Sequence, residues 1–247
     1  MTAPLFLLEP GALDGLTAGA SFTLDGAEGR HAATVQRLAP GELLLLADGA
    51  GLVATATVTA REQAALHLYV DVVERQPPPE PRFVLVQALA KGDRDEQAIE
   101  AATELGVDEV VPWQAERSVV VWRGDRADRA HAKWRKVVRA AAKQSRRARV
   151  PEVAPHARLR DVIPRLEAAT LALVLHEDAT EPLAGVELPD RGEVVVVVGP
   201  EGGITDTELA ACTQAGARPV RLGHTVLRSS SAGPAALAVL SAAARWR

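Results

Sequence analysis

Residues 194–208 read VVVVVGPEGGITDTE. Five valines in succession predict a strand buried on both faces, as in a parallel sheet rather than a half-solvated hairpin. The strand is predicted to break at Gly199 and Pro200. Thr205 and Glu208 then stand at the spacing of a reciprocal helix cap, so a helix is predicted to open there. A strand, a Gly-rich loop and a helix in that order put the loop at the carboxyl edge of a parallel sheet, where open α/β sheets hold their ligands. The residues of the loop narrow the ligand. Pro200 has no N–H, Glu201 repels phosphate, and there is no Lys, so the loop is a poor triphosphate cradle. It suits ribose hydroxyls or a cationic group. Taken alone, the segment is equally compatible with a Gly-rich turn that binds nothing.

Outward from this unit, residues 82–247 alternate between strand and helix patterns. Strands are predicted over Phe83–Leu89, Val107–Val111, Leu171–Leu175, Val194–Val198 and Val220–Leu222. Helices are predicted from Asp93, as N-cap, to a stop at Gly106, over Ala127–Ser145 with Trp134 and Val138 inward, and from Gly233-Pro234 through Ala244. This is an α/β domain with a mainly parallel sheet. Residues 75–81, RQPPPEP, predict a stiff extended linker. Residues 1–74 read as a small β-barrel with strands near Ser21–Leu24, Leu43–Ala47, Val53–Thr59 and Leu66–Val73. A short helix near Gly29 carries His31, Val35 and Leu38.

Composition sets outer bounds. The chain has 247 residues, 47% hydrophobic and 24% charged, which is ordinary for a soluble globular protein. Cys212 is the single cysteine, which excludes an internal disulfide and a Cys-rich zinc site. No HxH, HExxH, GxSxG or GxGxxG spacing occurs. No apolar run reaches membrane-spanning length, and Leu5–Leu8 is too short for a secretory signal, so a cytoplasmic protein without membrane contact is expected. The net charge of −4 is unevenly spread. Between Arg117 and Arg149 twelve cations face only Asp125 and Asp128 in sequence. The remainder of the chain is correspondingly acidic. A localised basic stripe of this kind fits a polyanion footprint, against the alternative of a solvated helix face.

Three predicted strands end in loops that a parallel sheet brings to one edge: Leu175-His176-Glu177, Gly199–Gly203 and residues 222–232, LGHTVLRSSSA. His176 reads first as a hydrogen-bonded structural group, and the triplet Ser229–Ser231 as a turn and helix cap. Arg228 is the catalytic candidate: a guanidinium in that loop can stabilise charge developing on a carbonyl oxygen. Lys91 and Arg94, in the turn AKGDR, can face a polyanion.

These segments, together with Gln87–Arg94 (QALAKGDR), Ala102–Gly106 (ATELG), Glu116–Val120 (ERSVV) and Ala141–Arg147 (AAKQSRR), resemble the RsmE-type 16S rRNA uracil-N3 methyltransferases of the SPOUT superfamily across nearly the whole chain. The resemblance implies an α/β domain with a trefoil knot over residues 82–247, preceded by a PUA-like RNA-binding barrel. It implies S-adenosylmethionine in the knot, against Leu175, His176, Val198, Gly199, Pro200, Glu201, Gly202, Leu222, Gly223, Leu227 and Ser231. It implies a homodimer acting on a uridine of the decoding region, within the small subunit or a late precursor. Candidate rRNA contacts are Arg37, Lys91, Arg94, Arg117, Arg135, Lys136, Lys143 and Arg147. Ser229-Ser230-Ser231 stands where the family usually carries an acid in a Thr-Glu-Thr-like triplet, and Lys143, Arg146 and Ala90 also depart from its pattern. A SPOUT enzyme with another RNA target and a non-catalytic rRNA-binding assembly factor are the alternative readings.

Overall fold

The valines of residues 194–198 do form a strand, and each is at most 2% exposed. In a computed structural model, which describes residues 3–246, the chain order is β1 (Leu5–Leu7), β2 (Ser21–Leu24), α1 (Gly26–Arg30), β3 (Leu43–Ala47), β4 (Leu52–Arg61), β5 (Leu66–Arg75), β6 (Arg82–Ala88), α2 (Arg94–Glu104), β7 (Glu109–Trp113), α3 (Asp125–Gln144), β8 (Glu152–Val153), α4 (Leu159–Ala168), β9 (Leu171–Leu175), β10 (Glu193–Val198), α5 (Asp206–Gln214), β11 (Arg218–Val220) and α6 (Ser229–Ala244). The chain divides into two compact units. One holds the residues up to Pro78 together with Ala142–Val150; the other holds Pro79–Ala141 and the residues from Pro151 onward.

The second unit is built on a six-stranded sheet in the order β11-β9-β10-β6-β7-β8, and every pairing in it is parallel. Side chains alternate across a strand, so one set of β10 valines, Val195 and Val197, packs with Val84, Val86 and Val174 against Val162, Leu166 and Cys212 of α4 and α5. Val194 and Val196 are buried on the opposite face, where α6 packs against β10, β6 and α2. Gly233 lets α6 come close: a Cβ there would meet both Leu85 methyls at 3.1 Å and Gln87 Oε1 at 3.2 Å. At the amino end of the sheet, the Arg245 guanidinium lies 4.0 Å over the Phe83 ring, donates to Gly106 O and Pro81 O at 2.5 Å each, and pairs with Asp108.

The first unit is a five-stranded sheet, β1-β3-β4-β5-β2, antiparallel except for the β1–β3 pair. The small barrel expected here takes the form of a curled half-barrel, in which no ladder joins β1 to β2 among the described residues. Phe6, Leu24, Leu44, Leu46, Leu66 and Leu68 fill its concave side. Ala148 and Val150 pack with Leu5, Leu7 and Val53, and Val150 N–H donates to Gly49 O at 2.9 Å.

Several boundaries move. The helix near Gly29 is five α-helical residues followed by a π-helical stretch, His31–Val35, which leaves Val35 67% exposed while Leu38 is buried. β7 starts two residues later than predicted, because Val107 N–H is still bonded to Ala102 O of α2. β11 lies two residues earlier than predicted. Asp93 precedes α2 but does not cap it with its side chain; it adopts a left-handed φ of 59°, and Asp95 accepts the Glu96 N–H instead. α6 starts at Ser229, five residues before the predicted Pro234, so the serine triplet is its first turn.

Candidate active site

Because every strand of the second sheet points the same way, the segments after β9, β10 and β11 share one edge. They enclose a cavity of about 680 Å³ lined by Leu175–Asp178, Val198–Ile204, Asp206, Val220–Ser229 and Ala232, with Arg94 and Arg117 reaching in from the segments after β6 and β7. Pockets of roughly 300–1,000 Å³ hold ligands of cofactor size. Ten of the eleven residues predicted to line a cofactor site border this one cavity, as does Arg228; Ser231, in the first turn of α6, does not, although Ser229 and Ala232 do.

The loop after β10 turns back at Gly203, whose φ of +76° suits glycine and whose N–H donates to Pro200 O at 2.9 Å. The predicted cap of α5 forms: Thr205 Oγ1 accepts the Glu208 N–H at 3.2 Å, and Glu208 Oε2 accepts the Thr205 N–H at 3.1 Å. Glu208, only 1% exposed, also accepts the Glu116 N–H at 2.8 Å, and Thr205 Oγ1 donates to Glu116 Oε2 at 3.0 Å. The cap thereby ties the segment after β7 to the one after β10.

Glu201 is not the free repelling charge its sequence context suggests. Its Oε1 accepts the Lys91 N–H and the Arg94 guanidinium, both at 3.1 Å. Partial burial pushes its carboxyl up, but these bonds and its own backbone N–H outweigh burial, and the net shift is downward. Arg117 Nη1 donates to Gly202 O at 3.0 Å. His176 acts locally: its Nδ1 accepts the Asp178 N–H at 3.3 Å, and its own N–H bonds Val220 O. The segment after β11 is pinned at its start, where Arg221 N–H donates to Glu181 O and Arg221 O accepts from Leu183 N–H. Arg228 is the exposed N-cap of α6, and its carbonyl accepts the N–H groups of Ser231 and Ala232.

The basic stripe is more balanced than the sequence suggests. Lys133 Nζ lies 2.6 Å from Glu96 and 3.4 Å from Asp93, and Lys143 Nζ lies 2.8 Å from Glu28. Arg135 and Lys136 are exposed on α3, Arg37 is exposed in the first unit, and Arg147 is half-buried with a partner of its own. Lys91 does not line the cavity, although its backbone braces Glu201. Asp178, Asp206 and Arg221 also line the cavity but lie outside the three loops that the sequence pointed to. Arg221 had a readable signal, since it stands beside the end of a predicted strand on the loop edge.

Residues 77–241 match the family of RNA methyltransferase domains. A ribosomal RNA small subunit methyltransferase E of Mycobacterium bovis is 46% identical over 92% of this chain and 89% of its own length, and one of Bacillus subtilis is 27% identical over 90% of each. The crystal structure of a ribosomal RNA small subunit methyltransferase E from Neisseria gonorrhoeae, bound to S-adenosylmethionine, superposes with a TM-score of 0.85 at 28% identity over 98% of both chains. A protein of Legionella pneumophila, solved with the same cofactor, gives 0.80 at 27% identity over 99% of both. With its α/β sheet, its loop-edge cavity and relatives that match along nearly its whole length, the chain belongs to the ribosomal RNA small subunit methyltransferase E family.

Proposed function

We propose that this protein transfers the methyl group of S-adenosylmethionine to N3 of one uridine in the decoding region of 16S rRNA. The observation that carries the reading is the convergence of the segments after β9, β10 and β11 on a single cavity. The lining fits the cofactor. Leu175, Val198, Leu222 and Leu227 offer apolar walls for an adenine. The glycine backbone of the β10 loop permits close approach, since a Cβ at Gly202 would already crowd Arg117 at 3.1 Å. The lining carries both signs of charge, Glu177, Asp178 and Asp206 as well as Arg221 and Arg228, which suits a ligand with an amino-acid tail and a sulfonium. The cofactor, when bound, supplies an electrophilic methyl group.

The chain's own residues then have two tasks. Walls and loop backbone fix the geometry of an in-line transfer, a positioning effect worth up to about 7–11 kcal/mol in favourable systems. Arg228, at the positive end of the α6 dipole, stabilises the negative charge that reaches uracil O2 and O4 as the N3 proton departs. The target uridine is single-stranded or extruded from its stack. Exposed Arg135, Lys136 and Arg37 supply salt-dependent contacts to the rRNA backbone, and the half-barrel unit serves as the PUA-like RNA-binding part.

A C-terminal trefoil knot within residues 82–247 accords with the strand order, in which β9 lies between β10 and β11 while α6 returns to pack on β6. Homodimerisation accords with the exposed Val119, Val121, Val226 and Leu227 on segments bordering the cavity. No described helix is long and apolar enough to cross a membrane, and a cytoplasmic location accords with a ribosomal substrate.

The test is calorimetric titration of S-adenosylmethionine into the wild type and Gly202→Arg, followed by mass spectrometry of nucleosides from treated small subunits. The expected result is binding that the substitution abolishes, with 3-methyluridine as product. A folded wild type that neither binds the cofactor nor methylates overturns the proposal.

A further inference from the structure

Arg94 and Arg117 stand on different segments, yet both reach the same loop. Arg94 Nη1 holds Glu201 Oε1 at 3.1 Å, and the Lys91 N–H meets the same oxygen at 3.1 Å. On the other side, Arg117 Nη1 donates to Gly202 O at 3.0 Å, with the Arg117 stem packed where a Gly202 side chain would be. Three of the five residues Gly199–Gly203 are glycine, so the loop has much backbone entropy to lose on ordering. One backbone bond, Gly203 N–H to Pro200 O, closes it from within. The braces from outside therefore carry much of its order.

We propose that Arg94 and Arg117 are positioning residues of the cofactor loop rather than contacts to rRNA: they grip Glu201 and Gly202 from two sides and hold the loop in the shape that keeps the cavity open. Nη1 of each guanidinium is already engaged by the loop, so a bidentate grip on an RNA phosphate through that nitrogen would compete with the brace. Glu201 is suited to its part, because its lowered carboxyl stays ionised at neutral pH and keeps the Arg94 pair intact. Both arginines also line the cavity, so slackening either brace changes the space the cofactor occupies. The inference rests on the reading of that cavity as the S-adenosylmethionine site.

The test is a cycle of Arg94→Ala, Glu201→Gln and the double variant, with Arg94→Lys and Arg117→Ala alongside. S-adenosylmethionine affinity, KM for each substrate, small-subunit binding and amide exchange of residues 199–203 are measured. Arg94→Ala and Glu201→Gln should each weaken cofactor binding about fivefold, the span of an exposed ion pair. The double variant should be no weaker than either single one. Arg94→Lys should recover part of the loss, and KM for the small subunit should stay unchanged. Arg117→Ala should speed exchange in the loop and raise KM for the cofactor alone. Normal cofactor affinity with weakened small-subunit binding in Arg94→Ala or Arg117→Ala overturns the proposal, as does additivity in the cycle. If the wild type does not bind the cofactor, the functional reading fails by itself. Amide exchange then decides the bracing: faster exchange in Arg94→Ala supports it, and unchanged exchange overturns it.

Discussion

Lys143 Nζ lies 2.8 Å from both carboxylate oxygens of Glu28, a residue 115 positions earlier in the chain. The pair removes from the basic stripe a cation that the sequence presents as free. A neutralised lysine releases few counterions when RNA binds, whereas exposed Arg135 and Lys136 release theirs. The double variant Arg135→Ala/Lys136→Ala should therefore flatten the dependence of log K on log salt by about 1.4–1.8 for rRNA. Lys143→Ala should leave that slope unchanged and lower stability of the fold by about 1 kcal/mol or less. Filter binding across a salt series and urea titration check both.

Glu208 is buried and serves two backbone donors from different segments, the N–H groups of Glu116 and Thr205. Glu208→Ala strands them together, and a loss of about 2–4 kcal/mol is expected in denaturant unfolding. Thr205→Ala removes one cap oxygen and should cost about 1 kcal/mol, with Thr205→Ser restoring most of it. A smaller loss for Glu208→Ala than for Thr205→Ala contradicts this account of the network.

Arg245 closes the far end of the sheet through two carbonyls, the Asp108 carboxylate and the Phe83 ring. Arg245→Ala leaves Asp108 nearly buried without its cation, and about 3 kcal/mol should be lost. Arg245→Lys should recover little, since an ammonium cannot serve two carbonyls and a ring face in one plane. The cavity lies at the opposite edge, so KM for either substrate should not move at a temperature where the variant is folded.

Burial, and then the Glu208 charge, push the Cys212 thiol up to about 11 from 9.0. The folded protein keeps this proton to higher pH than the unfolded chain does. The associated stability is thus complete below about pH 9 and is lost as pH rises from there through about 11. Cys212→Ala should remove that part of the alkaline decline in unfolding free energy. In the wild type, labelling by a thiol reagent at pH 8 should run no faster than opening of the second unit; immediate labelling would show the thiol to be accessible.

What the sequence disclosed was whatever local chemistry determines. The valines of β10 have one comfortable environment, and the Thr205–Glu208 cap closes within four residues, so both were legible. The loop edge followed, because parallel strands share a direction. What escaped depends on distance or on competition. The partners of Lys133 and Lys143 are 37 and 115 residues away and leave no trace in the stripe itself. β1 has three residues, too few to show a period. Pro234 reads as a helix start, yet it sits in the sixth position of α6, because docking of Gly233 and Leu237 on the sheet outweighs the lost N–H. Arg94 and Arg117 read in sequence only as charges; that each donates to the β10 loop, to Glu201 Oε1 and to Gly202 O, depends on partners 107 and 85 residues away.

The segment from Leu222 to Arg228 is fastened at both ends. Arg221 is bonded to Glu181 and Leu183, and α6 is docked through Gly233 against Leu85. Between these moorings His224–Leu227 stand exposed on the cavity rim. The contacts that hold the segment thus lie outside these four residues, so the frame around the rim, rather than the rim's own side chains, sets where it stands. Exchanging residues 224–227 between homologues should therefore leave the stability of the fold unchanged while altering S-adenosylmethionine affinity through Leu227.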